Sequence, residues 1–183
     1  MKLFRKLILA GAPFVFVVSA HAQLTSYQEV TVGSTGSVTI TGDGFTGYPS
    51  YQDSMGYVDP VTHQLDFVAY NWIGNHQVDS SSVTLTGLTA GSELELYLTN
   101  PNGQTFYTGP GSRNPDGDIH ASVTQNSNGS FDVNFEDLAA PNSDFNYGDG
   151  HLQITGVQAT PTPSSFLIFG MGAIGFLFRR RTA

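Results

Sequence analysis

The residues in this 183-residue chain best suited to chemistry are the carboxylates of Phe131-Asp-Val-Asn-Phe-Glu-Asp-Leu-Ala-Ala-Pro-Asn-Ser-Asp-Phe-Asn-Tyr-Gly-Asp-Gly150. Glu136 and Asp137 close an alternating apolar run, and Asp144, Asn146 and Asp149 lie on the segment returning to the next such run. Ca²⁺ takes about six to eight oxygen ligands from carboxylates, amides and carbonyls, so these five side chains could converge on one ion. Carboxylates held this close repel one another, and a bound cation turns that cost into stability. The spacing is not that of an EF-hand, because Gly148 takes the third ligand place and no glutamate follows at the required distance. The competing reading is a solvated acidic turn whose aspartates cap their own backbone. Asp116-Gly117-Asp118 is a second, smaller metal candidate.

Other chemistries find little footing. His63, His76, His120 and His151 are scattered, with no pair at zinc-ligand spacing. There is no Gly-x-Ser-x-Gly elbow, no His-Glu-x-x-His, no phosphate loop, and no cysteine to serve as nucleophile or disulfide. Two carboxylates can make a glycosidase, but the chain's fifteen acidic residues supply so many pairs that their presence discriminates nothing. The expectation is a protein that is not an enzyme. An alternative is a small carbohydrate-binding or carbohydrate-active protein with Trp72, Tyr107 and Arg113 at a sugar site, although a lone Trp in a β-protein is more often core.

The elements that must position these groups read as β throughout. Apolar residues alternate with polar ones at Val38/Ile40, Leu65/Phe67/Ala69, Leu94/Leu96/Leu98, Phe131/Val133/Phe135 and Leu152/Ile154, with Val83 and Leu85 after a serine run. Such runs, set between Gly, Asn, Asp, Pro and Ser clusters, predict antiparallel sheets with one buried face. The fold expected is an all-β antiparallel β-sandwich, jelly-roll-like, flanked by an N-terminal signal-peptide helix and a C-terminal hydrophobic helix. Residues 41–50, 100–103 and 108–117 carry turn chemistry and predict loops.

Both ends differ from the middle. Residues 1–22 have the charged start, apolar run and Ala20-His21-Ala22 cleavage site of a secretory signal peptide. Residues 23–158 form the expected secreted domain. It holds all fifteen acidic residues and one basic residue, Arg113, for a charge of about −14 before histidines. That balance disfavours nucleic acid and suits divalent cations. Residues 159–183 divide into a Pro-rich hinge (159–165), an apolar run (166–178) and the cluster Arg179, Arg180 and Arg181. Thirteen residues at 1.5 Å each make a helix of roughly 20 Å, a marginal span of a hydrocarbon core of about 30 Å, and the arginines suit a cytoplasmic flank.

Two resemblances add to this. The tail resembles the PEP-CTERM sorting signal, with Pro161-Thr162-Pro163 where Pro-Glu-Pro is usual, then the apolar run and the three arginines. Thr162 in place of Glu is a departure. The resemblance implies an exported protein of a Gram-negative cell envelope, surface or extracellular matrix. Its C-terminal end would be held transiently in the inner membrane and processed by an exosortase-type protease. The link implied is to extracellular polysaccharide or biofilm. The stretch from Gly87 to Val157 resembles the domain-of-unknown-function 4114 family, a secreted β-domain. Phe135-Glu136-Asp137-Leu138 matches that family's Phe-Glu-Asp-Leu element, and Asp144, Asn146, Tyr147, Gly148 and Asp149 fall on its Asp-x-Asp-Tyr-Asn-Asp cluster. Asn114 to Ala121 looks like its Asp-Gly…His element. Asn146 for Asp and Gly148 for Asn are departures, each removing one ligand candidate. The resemblance strengthens the calcium reading.

Overall fold

Where the sequence alternates, the chain forms strands. The computed structural model describes residues 26–27, 29–47 and 49–159. Its strands are β1 (Ser26–Tyr27), β2 (Val30–Val32), β3 (Val38–Gly44), β4 (Ser54–Val58), β5 (Leu65–Tyr70), β6 (Ser82–Leu85) and β7 (Glu93–Leu94). They continue as β8 (Leu96–Thr99), β9 (Thr105–Tyr107), β10 (Ala121–Gln125), β11 (Phe131–Phe135), β12 (Gly150–Thr155) and β13 (Val157–Ala159). One turn of 3₁₀ helix, Gly111–Arg113, sits in the loop after β9. The expected signal-peptide and tail helices lie outside the described residues. Among the described residues no helix is long and apolar enough to cross a membrane.

Among the described residues all strand pairs are antiparallel, in three sheets ordered β1-β10-β11-β12-β3-β6, β13-β2-β7 and β5-β4-β8-β9. Their inward side chains form one apolar cluster that includes Val30, Ile40, Met55, Leu96, Leu98, Phe106, Phe131, Phe135, Leu152 and Ile154. An all-β antiparallel sandwich is the observed architecture. Burial of this apolar surface is its main support, since no disulfide is available.

The β12–β13 corner depends on Gly156. Here the strand passes from the six-stranded sheet to the three-stranded one, a switch that sandwiches make through local kinks. Gly156 has φ +82°, and a Cβ added there would lie 2.1 Å from the Ser37 carbonyl oxygen. Gly156→Ala is therefore expected to destabilise the fold by about 2–4 kcal/mol, read as a lower urea midpoint at unchanged slope.

Three details depart from the alternating pattern. In β5, Leu65 and Phe67 were expected inward, yet they are 45% and 51% exposed while Val68 and Ala69 are buried. The cause is a bulge: Met55 pairs with Ala69 and Gly56 with Phe67, leaving Val68 unopposed and shifting the phase. Residues 41–44, expected in a loop, extend β3. Gly42 serves packing there, because a Cβ would lie 2.0 Å from the Asp79 carbonyl oxygen and 2.6 Å from Ala69 Cβ. Finally, the run Leu94/Leu96/Leu98 breaks at Glu95: Leu94 pairs with β2, whereas Leu96–Thr99 lies between β4 and β9.

Candidate metal centre

The acidic segment is placed by the β11–β12 ladder. Phe135 pairs with Gly150, so Glu136 and Asp137 leave the end of β11 beside Asp149 at the entry to β12. The Asp149 N–H donates to the Phe135 carbonyl at 3.1 Å, and the Asp137 N–H donates to Asp149 Oδ2 at 3.2 Å. One carboxylate oxygen from each of Glu136, Asp137 and Asp149 falls within 4.8 Å of the others. Glu136 and Asp137 are buried.

A fourth carboxylate from a distant part of the chain lies next to this group, outside its set of mutually close oxygens. Asp53, just before β4, is fully buried, and the charges of Asp137 and Asp149 act on it directly. Asn71, just after β5, fixes it there. Its Oδ1 accepts the Asp53 N–H at 2.9 Å, and its Nδ2 donates to Asp53 Oδ2 at 2.8 Å and to the Asp149 carbonyl at 2.7 Å. Asn100 holds the other side, donating from Nδ2 to the Asp137 carbonyl at 2.8 Å. Nothing in the sequence marks Asp53, Asn71 and Asn100 as parts of this site. Each is an ordinary polar residue beside a strand, and no spacing connects it to residues 136–149.

The electrostatics are those of a site lacking positive charge. Burial pushes the Asp53 carboxyl up to about 8, helped by Asp137 and Asp149. Burial, then Asp149 and Glu136, push Asp137 up to about 7. Burial also raises Asp149 and Glu136. The nearby His151 gives little relief, because its own burial lowers its pKa. Glu136 Oε1 accepts the Leu138 N–H at 3.3 Å. Glu136 Oε2 and Asp53 Oδ1 are buried and have no hydrogen-bond partner among the described residues. Buried oxygens without a donor are costly unless a proton or a cation serves them.

Beside these carboxylates lies a cleft of about 350 Å³, lined by Asp137, Leu138, Asp144, Asn146 and Asp149 together with Thr46, Gly47, Pro49, Ser50 and Tyr51. Asp144 and Asn146 thus share the cleft with Asp137 and Asp149, as expected, but stand at its exposed rim. Asp144 is occupied there by the Asn146 N–H at 3.1 Å and the Asn146 amide at 2.7 Å.

The second metal candidate is otherwise employed. Asp116 accepts the Ala140 N–H at 2.9 Å, the Asp118 N–H at 3.1 Å and His120 Nε2 at 2.9 Å. These bonds outweigh its desolvation and hold its carboxyl down at about 2. Asp118 is exposed. His120 is fully buried, stacks on Phe106 at 4.0 Å, and meets the Glu136 carbonyl through Nδ1 at 3.2 Å. Asp116 and His120 thus brace the backbone of the acidic segment. His120→Ala is expected to cost about 2–4 kcal/mol, measured by urea unfolding, through lost packing and the loss of one of the three partners of Asp116.

The structure does not bring Trp72, Tyr107 and Arg113 together. Trp72 follows β5 at one edge of its four-stranded sheet, and Tyr107 lies in β9 at the other edge. Three strand spacings of about 4.8 Å separate those edges. Trp72 stacks on His76 at 4.3 Å and donates from Nε1 to the Tyr51 carbonyl at 2.9 Å. Arg113 grips both carboxylate oxygens of Glu93 and lies 4.0 Å from Glu29.

With the site in view, comparison with known proteins locates one landmark. Residues 159–181 match the PEP-CTERM protein-sorting motif. The match covers Pro161, Thr162, Pro163, Arg179, Arg180 and Arg181, which, with Ala20 and Ala22, lie outside the described residues. The motif implies a secreted protein, processed by an exosortase, with a C-terminal membrane anchor and delivery to the envelope or surface of a Gram-negative bacterium. The likeness of residues 87–157 to the domain-of-unknown-function 4114 family finds no support in these comparisons. No curated protein and no solved structure matches the chain.

Proposed function

We propose that this is a non-enzymatic surface or matrix protein whose exported sandwich is stapled by one Ca²⁺ ion. Glu136, Asp137 and Asp149 hold the ion, and Asp53, buried beside them, comes in as a fourth ligand on binding. The supporting observation is the pair of buried oxygens without donors, Glu136 Oε2 and Asp53 Oδ1, beside two further carboxylates. Hard oxygens alone, without imidazole or thiolate, favour calcium or magnesium over zinc. The sorting tail retains the protein, and the sandwich serves a structural or adhesive role in an extracellular polysaccharide or biofilm layer.

Two experiments test this reading. Purified full-length protein should melt at a higher temperature in millimolar Ca²⁺ than in chelator, and an unchanged midpoint contradicts the staple. Removal of residues 166–183 should release the protein from the membrane fraction, and unchanged fractionation contradicts anchoring through the tail.

A further inference from the structure

We infer that the proposed calcium ion is left open on its cleft side and that a neutral glycan completes its coordination through two adjacent hydroxyls. This rests on the calcium reading above. The carboxylates meet at one end of the β11–β12 ladder, and the cleft of about 350 Å³ lies beside them. That volume far exceeds what one ion needs, since a liquid water occupies roughly 30 Å³. Four carboxylates, one oxygen each, on an ion that takes six to eight oxygens leave about two to four positions for oxygens from outside.

The rest of the cleft lining is not acidic. Thr46, Ser50, Pro49 and Tyr51 offer hydroxyls, an apolar ring and an aromatic ring, a mixture that suits the alternating polar edges and apolar faces of a sugar. Charge decides which oxygens fit. Four carboxylates around a divalent ion remain net negative, and Asp144 stands at the rim, so a uronate, phosphate or sulfate is repelled while a neutral diol adds no charge. Position agrees: the retaining tail follows β13, which begins at the end of β12 remote from Asp149. The cleft therefore lies about 20 Å of strand away from that corner.

Terbium luminescence on the detergent-purified full-length chain tests this. Tb³⁺ occupies oxygen-ligand calcium sites, and its lifetimes in H₂O and D₂O count coordinated waters. The expected count is about two to four, falling by about two with methyl α-mannopyranoside or methyl β-galactopyranoside. Tyr51→Ala should keep the Ca²⁺-induced rise in melting temperature yet weaken glycoside binding about threefold to tenfold. A water count near zero before sugar, or a count unchanged by both glycosides up to their solubility, overturns the inference and leaves the calcium staple standing. Failure of Tb³⁺ and Ca²⁺ to bind at all removes the staple as well.

Discussion

Stripped of calcium, the protein is expected to lose stability as the pH rises from about 5 to about 8, the reverse of ordinary acid denaturation. Asp53 titrates at 3.8 in the absence of the fold and at about 8 within it. A raised carboxyl contributes stability that is complete below its unfolded value and is lost as the pH climbs through its folded value. Asp137, raised to about 7, acts in the same direction. Each unit is worth about 1.4 kcal/mol, so Asp53 contributes on the order of 3–5 kcal/mol once relaxation around the charge is allowed for. Asp116 supplies the opposite limb: its carboxyl is lowered to about 2, so its contribution is present above 3.8 and is lost as the pH falls through 2. The calcium-free optimum should therefore lie near pH 4. With the ion bound, Ca²⁺ replaces the protons and the decline toward pH 8 should flatten. Urea midpoints across this range, in chelator and in calcium, provide the check. Stability that rises between pH 5 and 8 in chelator contradicts the carboxylate geometry.

Asp53→Asn is the second large effect, and its sign should depend on the ion. Without calcium at about pH 8.5, the substitution removes a buried charge facing Asp137 and Asp149, and should stabilise the fold by about 1–3 kcal/mol. In calcium the same change removes a ligand, so affinity should fall by at least about tenfold and the variant should melt below the parent. At pH 5 without calcium the difference should shrink, because Asp53 is then protonated in the parent. A variant equally stabilised with and without calcium would falsify its role as a ligand.

Much of this was legible in the chain. Glu136, Asp137 and Asp149 could be paired because they flank two alternating runs, and the β11–β12 register of Phe135 with Gly150 brings them together as the runs suggest. Asp53 and Asn71 could not. They arrive through β4 and β5, and a single sequence carries no sign of which loops meet after sheets pack. The phase of β5 is hidden for a related reason: a bulge adds one residue to one strand only, so the alternation before it reverses without a change in composition. Residues 41–44 read as a turn because glycine commonly marks one. Here Gly42 is small so that the Asp79 carbonyl can approach β3, a demand visible only once the sheets are assembled. The tail was legible for the opposite reason, since its meaning lies in the order of its blocks along the chain.

The most direct measurement is calorimetric titration of the full-length, chelator-treated protein with Ca²⁺ at pH 7 in two buffers of different ionisation enthalpy. Binding at one site with release of about one proton or more per ion is predicted, because Asp53 and Asp137 hold protons there that the cation displaces. Binding of the same affinity in the triple variant D53N/D137N/D149N, or no binding in the parent, contradicts it.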